Sequence, residues 1–188
     1  QYGYRAGGIS FLIDSSGFET NTIPDGWIWQ DLGNYYGAGS GVMNWRENQF
    51  DISLKSGDVP GMKTELISFN DSKEFLTPFV NEVKSAAKGT GDNAYIYLPL
   101  SNGDYRIRGS IPAGETDFKI SGAVYNGAEY MVSDFGKLIA QKNKTKLSSN
   151  TMYVYGNIPD TVRNVYTHYS PSLDSIIYWF NKKSINLY

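Results

Sequence analysis

The 188-residue chain contains no cysteine, which removes disulfides, thiol nucleophiles and cysteine-based zinc cages together. Histidine occurs once, at His168, so any Ser/His/Asp relay has to use that residue. Its surroundings, "YTHYSP", lack the strand-turn-helix setting of a nucleophile elbow. No apolar run approaches the roughly 18 to 20 residues that a membrane helix requires. Charge is sparse as well: Asp, Glu, Lys and Arg make up 19% of the chain and the formal net charge is -2. No basic field exists to hold a phosphate backbone, so nucleic acid is not an expected partner.

Further absences narrow the chemistry. No run places acidic residues at the alternate positions of a calcium loop, so neither a metal site nor a cofactor is expected. "GAGSG" (Gly37 to Gly41) is followed by no helix start that could present amides to a phosphate, and it reads as a loop. Nineteen Asp and Glu residues offer many carboxylate pairs, but nothing selects one as a glycosidase pair. The expectation is a protein that is not an enzyme.

Aromatics are abundant, at 15%, and there are 20 glycines. Aromatic side chains fit pleated, half-buried surfaces, so the bias runs toward strands. Period-two segments recur at Ile9–Asp14, Trp27–Leu32, Phe50–Leu54, Leu66–Phe69, Tyr95–Leu100, Tyr105–Ile111, Phe118–Tyr125, Met152–Tyr155 and Ile176–Tyr188. Turn signals such as "SNGD" and "YNGA" separate them, which predicts an all-β antiparallel sandwich or barrel with at most short helices. The length fits one domain.

Two stretches do not alternate. "DSKEFLTPFVNEVKSAAKG" has helical spacing, but Pro78 lies inside the pattern and leaves at most a short helix after it. "AQKNKTKLSSN" (Ala140 to Asn150) reads as a solvated loop. Among the aromatics, Trp27 and Trp29 share one face of their predicted strand and read as core. Tyr35 and Tyr36, in a glycine-rich loop, are candidate glycan contacts.

Several segments, in order, resemble a known family. "GWIWQDLGNYYGAGSG", "LISFNDSKEFLTPFV", "NAYIYLPLSNGD" and "YWFNKKSINLY" are similar to segments of the FaeG-type fimbrial subunits, adhesins of enterotoxigenic enterobacteria. The resemblance implies an incomplete immunoglobulin-like sandwich, residues 17–188, that polymerises by donor-strand exchange through the chaperone-usher route. Residues 1–16 would be the donor extension, with Gly8, Ile9, Phe11 and Ile13 in the donor strand. Ile185, Leu187 and Tyr188 would line the acceptor groove and meet the chaperone. The implied partners are other fimbrial subunits, a periplasmic chaperone, an outer-membrane usher and a host glycan; the implied location is the bacterial surface. A start at Gln1 fits a mature product whose export signal was removed. The alternative is a self-contained, lectin-like carbohydrate-binding sandwich that uses loop aromatics.

Overall fold

The computed structural model describes residues 10–18, 22–69, 79–100, 104–144, 152–155 and 163–183. Its central body is built where the alternation is strongest. In β2 (Gln49–Lys55), Phe50, Ile52 and Leu54 are buried. This strand pairs antiparallel with β3 (Glu65–Phe69) on one side and with β8 (Phe118–Ala123) on the other. A second sheet is centred on β7 (Tyr105–Pro112), with β6 (Asn93–Tyr97) antiparallel on one edge. The other edge carries β4 (Phe79–Asn81) and then β5 (Lys84–Ala86), both parallel to β7. Side chains from both sheets meet in one core of Phe50, Ile52, Leu54, Val83, Ala94, Ile96, Ile107, Ile111 and Ile120. Each large apolar side chain removed from water there contributes about 1.5–3 kcal/mol.

The two sheets join along both edges. On one side, the residues just before β3 pair with β5: Thr64 N–H donates to the Val83 carbonyl at 3.2 Å, and Ser85 N–H to the Met62 carbonyl at 2.8 Å. On the other, a wedge drives between β6 and β8. It follows the short helix α1 (Trp29–Leu32), and its centre is Asn34, 4% exposed. The Asn34 Oδ1 accepts the Ile96 N–H at 2.9 Å, its Nδ2 donates to the Gln30 carbonyl at 2.6 Å, and its backbone bridges to Gly122. Gly33 accepts the Ala123 N–H at 3.0 Å. A Cβ on Gly33 would overlap the Ile96 carbonyl, so this close approach admits only glycine. The result is a ring of strands in which the two sheets are linked at two seams, each made of a few backbone and side-chain hydrogen bonds.

A second layer lies outside the ring. The helix α2 (Gly127–Asn143) is capped by Asn126, whose side chain accepts the Glu129 N–H at 3.1 Å, and ends on Lys144 in the left-handed conformation at φ 51°. Its buried face includes Ala128, Tyr130 and Val132. Ala128 and Val132 pack on Ile13 of β1 (Ser10–Ile13), which pairs in parallel with β9 (Met152–Tyr155). The chain then runs exposed through residues 163–172 into α3 (Leu173–Lys183).

The expected immunoglobulin-like, all-β sandwich is therefore corrected to a mixed α/β fold. Three strand pairings are parallel, where that sandwich is built from antiparallel ones. Trp27–Leu32 does not form a strand, because its C-terminal half turns into α1 so that the wedge can reach β6. The short helix expected after Pro78 is replaced by β4 and β5; Asn81 there is tied across to Thr64 and so belongs to the sheet. Ile176–Tyr188 was expected as a strand, but its described part is α3. Ala140–Asn143 is the last turn of α2, not loop, and 145–150 lie outside the described residues.

Candidate functional site

Backbone strain marks one place outside the ring. Arg46, Glu47 and Asn48 all have positive φ, at 51°, 57° and 50°, a left-handed turn that non-glycine residues avoid. Such a run persists only when its surroundings over-determine it. Here Asn48, 2% exposed, does most of the fixing. Its Oδ1 accepts the Trp45 N–H at 2.9 Å, its Nδ2 donates to the Gly39 carbonyl at 3.0 Å and to Asn44 Oδ1 at 2.8 Å, and its carbonyl accepts the Val124 N–H at 2.7 Å. From α2, Asp134 takes the Trp45 indole N–H at 2.9 Å and pairs with Arg46 at 3.1 Å. The Arg46 guanidinium also lies 5.6 Å from the Tyr130 ring centre.

The strained turn presents Glu47 to a cleft of about 620 Å³ whose other wall is α3. Ser170, Pro171, Ser175, Ile176, Trp179 and Lys183 line that wall. The helix is amphipathic yet buries none of its residues; Leu173 is 70% and Trp179 48% exposed. Lys182 and Lys183 occupy its last turn, where cations complement the partial negative charge of the helix end. Lys182 donates to the Tyr178 hydroxyl at 3.0 Å and sits above the Tyr178 and Trp179 rings, which leaves Lys183 to face the cleft. Directly after it the sequence reads Ser184-Ile185-Asn186, outside the described residues. Among the described residues no group of metal-ligating side chains converges, and no helix is long and apolar enough to cross a membrane.

The residues singled out from sequence are not gathered at this cleft. Phe11 stands edge-on to Phe135 of α2 at 5.9 Å, and Ile13 is in the core with Ala128 and Val132, so both are used within the chain. Gly8, Ile9, Ile185, Leu187 and Tyr188 lie outside the described residues. Tyr35 and Tyr36 stack edge-to-face at 5.3 Å in a turn beyond the wedge. Tyr35 is half exposed, while burial and then the nearby Asp31 push the Tyr36 hydroxyl up to about 12, so it stays protonated at neutral pH. His168 is exposed in the segment leading to α3.

The fold is shared with a penicillin-binding protein. The crystal structure of penicillin binding protein 4 (dacB) from Haemophilus influenzae superposes with a TM-score of 0.65 and 22% identity, over 95% of this chain and 38% of that one. The same protein complexed with a novel beta-lactam (CMV) aligns at 0.49 and 20% identity, over 79% and 33%. This chain thus spans well under half the length of the solved protein it matches. The family model described as D-Ala-D-Ala carboxypeptidase 3 (S13) matches residues 3–188, and the chain belongs to that family.

Membership overturns the fimbrial reading as a whole: subunit family, donor-strand polymerisation, fellow subunits, chaperone, usher and host-glycan partners, and surface location. It equally overturns the lectin-like alternative and the expectation of a non-enzymatic protein, because the family is one of carboxypeptidases. The physical source of the error is plain in two of the four segments. The supposed Trp-x-Trp strand contains α1, and the supposed closing strand contains α3.

The spelling Ser-x-Asn occurs three times, at Ser68-Phe69-Asn70, Ser148-Ser149-Asn150 and Ser184-Ile185-Asn186, and sequence reasoning weighed none of them. Penicillin-binding proteins carry three short motifs, Ser-x-x-Lys with the nucleophile, Ser-x-Asn and Lys-Thr-Gly. Ser85-Ala86-Ala87-Lys88 matches the first by spelling but not by structure. Ser85 is in β5 and Lys88 in the turn that follows, so no helix face brings them together, and Ser85 is 3% exposed with its Oγ accepting the Gly57 N–H at 2.9 Å. Lys-Thr-Gly does not occur in the 188 residues; Lys-Thr is followed by Glu65 in one place and by Lys146 in the other.

Proposed function

We propose that this chain is part of a D-Ala-D-Ala carboxypeptidase of the penicillin-binding type, acting on peptidoglycan stem peptides outside the cytoplasmic membrane, and that it contributes the Ser184-x-Asn186 element. The observation that carries this reading is the family match over residues 3–188, and α3, which lines the cleft, ends at Lys183, the residue before Ser184-Ile185-Asn186 in sequence. The reaction breaks the peptide bond between the two terminal D-alanines by attack of a serine and then of water. The serine nucleophile and the Lys-Thr-Gly element belong to other parts of the whole protein. A serine hydroxyl both donates and accepts, so Ser184 suits proton transfer between nucleophile and leaving amine. The Asn186 amide offers a donor and an acceptor to the substrate's own amide groups. Lys183 places positive charge where the peptide's terminal carboxylate approaches.

The test is made on the full-length enzyme. Ser184→Ala and Asn186→Ala should each lower D-Ala release and acylation by a labelled penicillin by about 10²- to 10³-fold, the scale of losing one catalytic donor, with melting temperature unchanged. Rates within twofold of wild type would overturn the assignment.

A further inference from the structure

Away from the cleft, the wedge and the β6–β7 sheet form a second groove, of about 240 Å³, lined by Trp29, Tyr97, Leu98, Pro99, Leu100, Asp104, Arg106 and Arg108. Its floor is aromatic and fixed. The Trp29 indole N–H donates to the Leu98 carbonyl at 3.0 Å, and its ring meets Tyr97 at 4.9 Å, inclined by 58°. Trp29 is nevertheless 37% exposed, so part of the indole faces water instead of the core.

The walls are planar hydrogen-bonding groups held in place. Glu82 binds the Arg108 Nε at 2.6 Å through one oxygen and Arg106 through the other, and the Arg108 guanidinium lies 5.6 Å from the Tyr97 ring centre. The two guanidiniums are balanced by Glu82 and by Asp104 on the rim. No net charge is left to select an ion. Donors and acceptors remain in fixed orientation beside a rigid apolar face.

We propose that this groove is a saccharide subsite for the glycan strand of peptidoglycan, separate from the peptide cleft. A pyranose presents an apolar C–H face that stacks on an aromatic ring and an equatorial rim of hydroxyl and acetamido groups that hydrogen-bond to guanidinium and carboxylate groups. The groove offers both on one rigid surface. A bulk apolar ligand would desolvate the Asp104 carboxylate and the guanidinium N–H groups of Arg106 and Arg108 that Glu82 does not take, and would offer them nothing in return, which is costly. The inference rests on the peptidoglycan reading above and extends it from peptide to sugar. Tyr35 and Tyr36 play no part in it.

The experiment titrates the full-length enzyme, by calorimetry, with glycan strands stripped of peptide and with a neutral N-acetylglucosamine oligomer. Wild type should bind both; binding of the stripped strands alone would mean recognition of their exposed carboxylates and would overturn a neutral saccharide site. Trp29→Ala should weaken binding about tenfold, in line with loss of one aromatic stacking partner, and Trp29→Phe by less. Arg108→Gln, an exposed change that leaves the fold intact, should weaken it as well and serves if Trp29→Ala does not fold. Failure of wild type to bind, or equal affinity in Trp29→Phe, Arg108→Gln and wild type, would overturn the proposal. D-Ala release by wild type from a sugar-free pentapeptide, read in parallel, tests the carboxypeptidase reading on its own, so the two can fail independently.

Discussion

The strand ring and helix α3 draw on the same kinds of residue and use them in opposite ways. In the ring, Ile52, Leu54, Ile96, Ile107 and Ile111 are wholly removed from water. In α3, Ile177, Tyr178, Trp179 and Phe180 remain between 36% and 54% exposed, and no residue of the helix is buried. The ring packs on itself: its two sheets are linked at two seams and its apolar side chains face one another. The helix has a helical pattern without a packed face, and two of its apolar side chains, Ile176 and Trp179, line a cleft. Hydrophobicity in the ring is buried and contributes stability, while in α3 much of it stays at the surface.

This contrast can be broken by mutation. Ile107→Ala removes atoms from the closed core and should cost about 2–5 kcal/mol in urea unfolding, whereas Trp179→Ala should stay within about 0.5 kcal/mol. Equal costs would mean that α3 is packed as the ring is. Asn34→Ala attacks the ring at its seam. It strands the buried Ile96 N–H and should cost about 1–3 kcal/mol, with earlier hydrogen exchange at β6 and β8 than at β2 and β3. Arg46→Ala probes the connection between the strained turn and α2. Because the arginine is half exposed, the loss should be below about 1 kcal/mol and shrink further as salt is added.

The smallest effect is one of pH. Hydrogen bonding from Arg108, with the charges of Arg108 and Arg106, holds the Glu82 carboxyl below the ordinary glutamate range. A depressed folded-state value means that the unfolded chain binds the proton first. The contribution is therefore present above the ordinary value and is lost as pH falls through the folded one. Melting temperature should fall slightly more steeply below about pH 4.5 in wild type than in Glu82→Gln, the difference being small because the pair is exposed.

Part of the ring was legible in the sequence, because period-two burial at Phe50, Ile52 and Leu54 follows from the pleat itself, while the segment expected at Tyr95–Leu100 forms β6 two to three residues earlier, at Asn93–Tyr97. The helices were harder. Asn126-Gly127-Ala128-Glu129 is a readable start signal for α2, an Asn cap with Glu three residues on, but it was overshadowed by the turn-like "YNGA". In α3, "SIIYWFNKK" is rich in residues that favour strands, yet Asp174 in the first turn and Lys182 and Lys183 in the last follow the charge order of a helix. The wedge could not be read at all, since Asn34 acts on residues far along the chain. Ser184-x-Asn186 is too short to signal anything by itself, since the same spelling occurs at Ser68-x-Asn70 and Ser148-x-Asn150.

The wedge also sets a timetable. Asn34 closes the ring on Ile96, 62 residues later, and on Gly122, later still. At the roughly 5–20 residues per second of protein synthesis, those partners emerge seconds after the wedge does. A nascent chain therefore carries the wedge without its links to Gly122 and Ala123, and the seam beside β6 stays open, until β8 has left the ribosome. That interval, more than the finished ring, is when this protein is most exposed to aggregation and most dependent on whatever shields it during synthesis.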